Sequence, residues 1–324
     1  MRAVVFAGAG GNEVIRLDEL PDPVPGSEEL LLRVTHAGLN PADLSQREGS
    51  YPAPPGSPRD IPGLEVSGTV EACGAQVLGW KPGDRAFGLV GGGGLADRVV
   101  VHHRNVTAVP DELDEPGAAA VPEAFITAHD AVRSQAGLSV GEVLLVHGAA
   151  GGVGSAAVQI GVVAGARVLG TTRGPDSAAL VRELGGEPID DEGFADAVLA
   201  ATGGRGADVV IELVGAPHFP GNLKAVAVKG RIMIVGLGAG ADVQLVLRQL
   251  MARRASIRGT MLRARPLEEK AQAVRAFERE LIPHLASGRL KPVIDSVFPF
   301  DDAVEAFERL AASGKRGKVL LHFA

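Results

Sequence analysis

The chain has 324 residues, a length typical of about two domains. Hydrophobic residues make up 46% and charged residues 22%, as expected of an ordinary soluble globular protein. The net charge of −7 gives no basic field, so nucleic acid is not an expected partner. No apolar run reaches about 18 residues, which argues against a membrane span.

Cysteine usage and the amino terminus both indicate a cytoplasmic protein. Cys73 is the only cysteine, so neither an internal disulfide nor a cysteine-rich zinc site can form. Residues 1–6 enter a strand-like pattern at once, without the apolar core and cleavage site of a secretory signal.

The first 120 residues or so are rich in proline, glycine and short β-like runs. Segments 29–34 and 68–72 are predicted as strands, segment 80–86 as a turn entering a strand, and segment 96–101 as a run that ends in a strand. Many short strands between glycine and proline turns predict a compact β-barrel-like domain.

The pattern changes near residue 115. A helix is predicted over 116–134, and a long amphipathic helix over 267–286. From residue 143 onward strands and helices alternate, which predicts a parallel, doubly wound α/β sheet. A final strand over 318–322 is expected to return to the first domain. The alternating strands are 143–146, 167–170, 209–213 and 231–235, and the helices between them include 154–164 and 177–184.

Segment 143–160 contains the strongest functional motif. An apolar strand leads into a glycine-rich turn, and the turn opens directly into a helix. Ala149, Gly151 and Gly154 have the dinucleotide fingerprint spacing, with alanine at the first position. This order brings backbone N–H groups and a helix N-terminus to one point, which suits a pyrophosphate.

The end of the next strand bears on the choice of cofactor. NAD sites usually place Asp or Glu about 20 residues after the glycine turn, to hold the ribose hydroxyls. Here that strand ends in Thr171, Thr172 and Arg173, and an arginine can pair with a 2′-phosphate. We therefore expect NADPH. NADH stays the alternative, because Asp176 and Asp191 weaken the positive field.

Six segments together resemble the zinc-independent medium-chain dehydrogenase/reductases of the quinone oxidoreductase family. The resemblance implies a GroES-like β-barrel catalytic domain formed by residues 1–121 and 264–324, and a Rossmann dinucleotide-binding domain over 122–263. Residues 42–51, 54–56 and 282–284 resemble the subgroup of tumour-suppressor-inducible NADPH quinone oxidoreductases. The six segments are 38–43 (GLNPAD), 62–68 (PGLEVSG), 81–85 (KPGDR), 119–128 (AAVPEAFITA), 147–159 and 317–321 (GKVLL).

The same resemblance indicates that no metal is bound. Zinc alcohol dehydrogenases have a ligating cysteine where this chain has Asn40, and His-Glu where it has Leu64 and Glu65. A catalytic zinc needs three protein ligands, so Glu65 alone cannot hold it, and a structural carboxylate paired inside the fold is expected instead. The histidines at 102, 103, 129, 147 and 218 show no supported ligand spacing and are expected to be structural or surface residues.

Without a metal, the acceptor must be electron-poor, such as a quinone or an activated enone, whose developing oxyanion needs only hydrogen bonds. The resemblance thus implies an NADPH-dependent reductase that transfers hydride to a quinone or similar conjugated carbonyl, in a family that is commonly dimeric. Two alternatives stay open. One is an enoyl or enone reductase that reduces a carbon–carbon double bond, and the other is an NADPH-binding structural or sensor protein without turnover.

The resemblance also assigns candidate site residues. Asn40 would lie beside the nicotinamide or the substrate oxygen and could donate through its amide. Tyr51 matches a tyrosine of the active cleft and could stack on a ring or donate through its hydroxyl. Their structural alternatives are a turn residue before Pro41 and a packing residue. The candidate cofactor contacts are Thr127, Ala150, Gly151, Gly152, Val153, Arg173, Gly236, Leu237, Gly238, Met261 and Leu262.

Overall fold

The structure is a computed structural model that describes residues 1–323. Its strands are mostly short, and the central ones are buried on both faces. They form three sheets, of two, six and seven strands. In chain order the strands are β1 (Arg2–Phe6), β2 (Ile15–Glu19), β3 (Glu29–Leu39), β4 (Glu65–Cys73), β5 (Arg85–Leu89), β6 (Arg98–His102), β7 (Val106–Ala108), β8 (Val143–Val146), β9 (Arg167–Thr172), β10 (Glu187–Asp190), β11 (Ala207–Glu212), β12 (Val226–Ile234), β13 (Ser256–Gly259), β14 (Ile294–Pro299) and β15 (Lys318–His322).

Helices alternate with strands in the middle of the chain and dominate after residue 260. The helix predicted over 116–134 is divided into two α-helices, Glu115–Ala119 and Pro122–His129, because Pro122 starts a new helix and disfavours helical backbone at the residue before it. A π-helical segment, Asp130–Gln135, continues the second of them. No helix among residues 1–323 has the length and apolar character needed to cross a bilayer. In chain order the helices are α1 (Pro41–Arg47), α2 (Glu115–Ala119), α3 (Pro122–His129), α4 (Gly152–Val163), α5 (Pro175–Glu183), α6 (Phe194–Ala201), α7 (Phe219–Ala225), α8 (Leu247–Arg253), α9 (Leu267–Ala286) and α10 (Ala303–Ala311).

The chain divides into two compact units. The first unit contains Met1–Ile126 together with residues 262–323, and the second unit is Thr127–Met261. The domain boundaries inferred from the sequence lie at 121/122 and 263/264, and they remain a prediction.

The first unit is built on the antiparallel β3–β4–β5 core of a sheet with the order β14-β15-β3-β4-β5-β7. The carboxyl-terminal strand β15 pairs antiparallel with β3, so the predicted return of this strand is confirmed. The core contains Leu32, Val66 and Phe307, which are all fully or almost fully buried. This unit is the GroES-like domain, as expected.

The second unit has a six-stranded sheet with the order β10-β9-β8-β11-β12-β13, and every neighbouring pair is parallel. The predicted Rossmann-type sheet is therefore confirmed. Its two edge strands, β10 and β13, are missing from the prediction because their side chains are largely exposed and give little apolar signal. Strand order reverses between β8 and β11, which is where ligands bind in open α/β sheets.

Candidate active site

The glycine turn joins the carboxyl end of β8 to the amino terminus of α4. Gly148 has φ 57°, a left-handed conformation that favours glycine, and its carbonyl accepts the Gly151 N–H at 3.0 Å. A Cβ at position 154 would lie 2.2 Å from the Gly148 carbonyl oxygen and 2.9 Å from the Ala149 Cα. Gly154 is thus the glycine that lets the helix approach the strand, as the third position of the fingerprint requires.

Strand β9 fixes the turn from the side. The Thr171 hydroxyl accepts the Gly148 N–H at 3.2 Å, and the Thr171 carbonyl accepts the Ala149 N–H at 3.2 Å. The first N–H groups of a helix have no acceptor within the helix and are suited to an anion. At this position Gly152 and Val153 are half-buried. The residues present therefore fit a dinucleotide pyrophosphate.

Arg173 stands at the adjacent strand end, between β9 and α5. It is exposed and has no ion-pair partner within residues 1–323. Asp191 donates its N–H to the Thr172 carbonyl, and its Oδ1 lies 3.3 Å from His218 Nε2. The Asp191 carboxylate is therefore directed at His218. For this reason Asp191 argues less strongly against a phosphate bound at Arg173. Asp176 is exposed in the first turn of α5.

Candidate cofactor residues also follow β12. Gly236 donates its N–H to the Glu212 carbonyl at 3.1 Å, and a Cβ there would lie 2.6 Å from the Leu213 carbonyl oxygen. The structure thus brings Gly236 next to the end of β11, on the same sheet edge as the glycine turn. Leu237 and Gly238 are exposed at this edge.

Five further predicted cofactor residues lie in the glycine turn, on α3 and after β13. Ala150 is buried in the glycine turn, and Gly151 is half-buried there. Thr127 is half-buried on α3, and Met261 is 53% exposed just after β13. Leu262 is buried in the first unit. Cofactor contact at all of these positions stays a prediction.

In the first unit, Lys318 is a buried cation surrounded by oxygens. Its Nζ lies 2.5 Å from Glu65 Oε1 and donates to Asn40 Oδ1 at 2.5 Å and to the Leu39 carbonyl at 2.9 Å. Asn40 Nδ2 donates to the same Glu65 oxygen at 2.9 Å. Because Lys318, Asn40 and Glu65 are at most 5% exposed, these contacts are shielded from water.

The remaining atoms of this network are also paired. Asn40 Nδ2 donates to the Gly38 carbonyl at 3.3 Å, so both sides of the amide are used. Glu65 Oε2 accepts the Glu123 N–H at 2.7 Å. A Cβ at Gly38 would lie 2.2 Å from Glu65 Oε1, so a glycine is needed for the carboxylate to occupy this position. As expected, Glu65 is a structural carboxylate paired inside the fold.

This arrangement does not fit a catalytic zinc. The only acidic donor at the position, Glu65, is neutralised by the Lys318 ammonium, which also holds the Asn40 oxygen. A divalent cation bound by Glu65 and Asn40 would face that ammonium at short range in a dry site, where like charges repel strongly. The donor set thus agrees with the zinc-independent chemistry inferred from the sequence.

Asp43, in the first turn of α1, holds the backbone around Asn40. Its carboxylate accepts the Asn40 N–H at 2.8 Å and the Gly63 N–H at 2.9 Å. Complete burial raises the pKa of Asp43 to about 6, although the two backbone N–H groups and Arg263 act in the opposite direction.

Asp43 predicts an unusual pH dependence of stability. A carboxyl with a raised pKa contributes stability that is complete below its unfolded pKa of 3.8 and is lost as pH rises through about 6. Relative to Asp43→Asn, the wild type should lose roughly 3 kcal/mol of unfolding free energy over this interval, at about 1.4 kcal/mol per pKa unit. Urea unfolding of both proteins from pH 4 to 7 measures the difference. A constant difference would contradict the raised pKa.

Tyr51 lies after α1, against an immobilised arginine. The Arg263 guanidinium carbon is 5.2 Å from the centre of the Tyr51 ring, and Arg263 donates to the carbonyls of Gly91 and Tyr51 at 2.8 and 3.3 Å and to Gln46 Oε1 at 2.5 Å. Burial raises the pKa of the Tyr51 hydroxyl above its usual value, while Arg263 lowers it. The hydroxyl has no hydrogen-bond partner within residues 1–323, so it is a protonated, available donor.

Sequence reasoning missed the roles of three residues here. Lys318 lies 278 positions from Asn40, and no local pattern links them. Arg263 and Asp43 are buried charges whose partners come from distant loops. The motifs NPAD and GKVLL include two of these residues, but only their pairing in space shows what they do.

Comparison with known proteins agrees with this fold. Residues 26–111 match the family model described as Alcohol dehydrogenase GroES-like domain, and residues 152–279 match the one described as Zinc-binding dehydrogenase. A quinone oxidoreductase of Lama guanicoe is 34% identical, with 99% of this chain and 97% of the relative covered.

Two solved structures are similar over nearly the whole chain. A quinone oxidoreductase of Pseudomonas syringae has 30% identity and a TM-score of 0.89, with 99% of both chains covered. A mycobacterial protein complexed with NADPH has 28% identity and a TM-score of 0.90, again with 99% of both chains covered. The chain therefore belongs to the quinone oxidoreductase family of the medium-chain dehydrogenase/reductases, NAD(P)-dependent oxidoreductases for which NAD(P)H binding is typical.

Proposed function

We propose that this protein is a zinc-independent reductase that uses NADPH to reduce a quinone or a similar conjugated carbonyl. The observation that supports this most directly is the Lys318 ammonium buried against Glu65 and Asn40. Since that site lacks the donors for a Lewis-acid metal, the acceptor must take hydride without one. Quinones meet this requirement because their reduction forms an aromatic hydroquinone.

Bound NADPH supplies the hydride in this proposal. Tyr51 then donates a proton or a hydrogen bond to the acceptor oxygen as negative charge develops there. Its raised pKa keeps the hydroxyl protonated at neutral pH, and Arg263 fixes its position through the backbone carbonyl and the ring. Overall, the quinone gains one hydride from the cofactor and one proton from Tyr51, which gives the neutral hydroquinone. Water then returns a proton to the ionised Tyr51 hydroxyl.

We propose Asn40 as the second donor to the acceptor oxygen. One of its N–H groups is committed to Glu65 at 2.9 Å, whereas the contact with the Gly38 carbonyl is longer, at 3.3 Å. An acceptor oxygen would therefore compete with Gly38 for the second N–H. Lys318 and Glu65 hold the amide in one orientation, which limits the reorganisation needed when the oxyanion forms.

Turnover with defined acceptors tests the proposal. Purified protein is mixed with NADPH and a panel of quinones, enones and enoyl thioesters, and loss of cofactor absorbance is followed. We expect turnover with quinones, and a lower kcat in Tyr51→Phe with little change in NADPH affinity. Reduction of enoyl thioesters alone would favour the carbon–carbon double bond reductase. NADPH binding without turnover on any acceptor would favour a structural or sensor protein.

The cofactor preference depends on Arg173. Replacing Arg173 by alanine should raise the KM for NADPH by roughly tenfold, because one charged contact with a 2′-phosphate contributes about 1.4 kcal/mol or more. The KM for NADH should change little, since that cofactor has no such phosphate. Steady-state kinetics with both cofactors measures the ratio, and equal effects on both would argue for NADH.

The resemblance leads us to propose membership in the tumour-suppressor-inducible subgroup and a homodimer. Gly151 stands where that subgroup has serine, so one hydroxyl near the cofactor is lost. The edge strand β13 pairs only with β12 within residues 1–323, which leaves an edge open for a second copy. Light scattering during size-exclusion chromatography tests the dimer, and a monomeric mass would exclude it.

A further inference from the structure

Three buried side chains meet where the strand order of the second unit reverses. His147 follows β8, Glu212 ends β11, and His218 lies in the short turn before α7. One ligand atom from each lies within 4.8 Å of the other two. The closest approaches are 3.7 Å from His147 Nε2 to Glu212 Oε2 and 3.7 Å from His218 Nδ1 to Glu212 Oε1.

His218 is arranged as metal-binding histidines usually are. Its Nε2 lies 3.3 Å from Asp191 Oδ1, while its Nδ1 is buried without a hydrogen-bond partner. Histidines that bind metals usually donate their other ring N–H to a carboxylate, which fixes the tautomer. With the proton on Nε2, the lone pair on Nδ1 faces Glu212. An unpaired buried polar atom is costly, so a partner there would relieve a real deficit.

His147 and Glu212 are held just as firmly. His147 Nδ1 lies 3.4 Å from the Thr171 hydroxyl oxygen and Nε2 lies 2.7 Å from Asn222 Oδ1, so partners at both ring nitrogens orient the imidazole. Glu212 Oε1 accepts the N–H groups of Val214 and Gly215 at 2.7 and 2.9 Å, which orients the carboxylate. Both side chains are at most 1% exposed.

Asn222 adds an oxygen at the same place. Its Oδ1 lies 2.7 Å from His147 Nε2, and its Nδ2 donates to Glu212 Oε2 at 2.5 Å. Without an ion, His147 donates its proton to this oxygen. When that proton is exchanged for one on Nδ1, which lies 3.4 Å from the Thr171 hydroxyl oxygen, Nε2 and the Asn222 oxygen can both direct lone pairs at a shared cation.

We propose that His147, Glu212 and His218 form a binding site for a divalent ion of the zinc class, with Asn222 as a fourth donor. Two imidazoles and a carboxylate are a common zinc ligand set. The carboxylates of Glu212 and Asp191 together balance the two positive charges, so the buried ion is compensated. The proposal departs from our expectation that these histidines are only structural, because three separate segments supply the ligands and sequence spacing cannot show them.

The site would be structural. The ion would tie the ends of β8 and β11 to the turn before α7, directly beneath the glycine turn that starts at Gly148. An ion that binds only the folded state raises the unfolding free energy by an amount that grows with its concentration. The proposal does not depend on the acceptor or on turnover.

Metal titration of the chelator-treated full chain tests the site. Calorimetry with Zn²⁺ should give one ion per chain, and Co²⁺ should give the intense visible absorption of a low-coordinate complex with nitrogen ligands. His218→Phe keeps the ring volume and should abolish both signals. Asp191→Asn removes only the outer carboxylate and should weaken binding by about 10- to 100-fold.

The matched control is the double variant His102→Ala and His103→Ala. It removes two imidazoles from the other His and carboxylate cluster, which includes Glu28 and is more exposed. We expect this control to bind one ion as the wild type does. Loss of binding in the control, unchanged binding in His218→Phe, or no binding by the wild type would each overturn the proposal. If His218→Phe does not fold, Asp191→Asn decides it, since wild-type affinity there contradicts the site.

Discussion

Replacing Lys318 by methionine is expected to lower the unfolding free energy by about 3–5 kcal/mol, the usual result of removing one partner from a buried ion pair. The substitution keeps most of the side-chain volume but leaves the Glu65 carboxylate buried without its counter-ion. It also removes the donor to Asn40 Oδ1. Chemical denaturation at neutral pH measures the loss.

A double variant separates the charge effect from packing. Adding Glu65→Gln to Lys318→Met removes the unpaired charge, so the double variant should be more stable than Lys318→Met alone. If the single variant is as stable as the wild type, Lys318 does not compensate Glu65. Without Lys318 the Asn40 amide can change its orientation. In whichever of the two variants folds, kcat should therefore fall more than the KM for NADPH changes.

The second large effect is expected at the glycine turn. In Gly154→Ala the new methyl group would lie 2.2 Å from the Gly148 carbonyl oxygen, a backbone atom that cannot move aside cheaply. The start of α4 must therefore shift away from the turn. We expect a loss of about 1–3 kcal/mol of stability from overpacking and a loss of NADPH affinity of roughly tenfold or more.

Gly151→Ala is the matched control in the same turn. A Cβ at position 151 would be 3.4 Å from its nearest neighbour, the Gly148 carbonyl oxygen, and the φ of −76° at this position suits any residue. Its stability should stay close to wild type. Thermal unfolding distinguishes the two variants, and equal stability would show that the close approach at Gly154 is unimportant. Fluorescence titration with NADPH compares the affinity of Gly154→Ala with that of the wild type.

The two substitutions address different parts of the proposed chemistry. Gly154→Ala changes the second unit and should act on cofactor binding, whereas Lys318→Met changes the first unit and should act on the acceptor side. Since the two residues lie in different compact units, their effects on stability should add. Strong coupling between them would mean that the two binding functions are linked through the chain.

Much of the fold could be predicted from local sequence. Helix α9 occupies the predicted 267–286, because its apolar residues repeat with helical spacing and its opposite face is charged. Strand β8 was evident as a fully apolar run, as expected for a strand covered on both faces of a parallel sheet. Strand β14 was missed because its residues are only partly buried.

The amino-acid sequence by itself determined the class of this protein. Strand, glycine turn and helix are consecutive in the chain, so their order alone predicted a dinucleotide-binding unit. The missing cysteine and histidine at 40 and 64 predicted a site without zinc. What only the tertiary structure decided is which buried polar groups meet: Lys318 with Glu65, Asp191 with His218, and His147 with Glu212. The physical reason is that local order depends on neighbouring residues, whereas compensation of a buried charge depends on partners that the fold brings from distant segments.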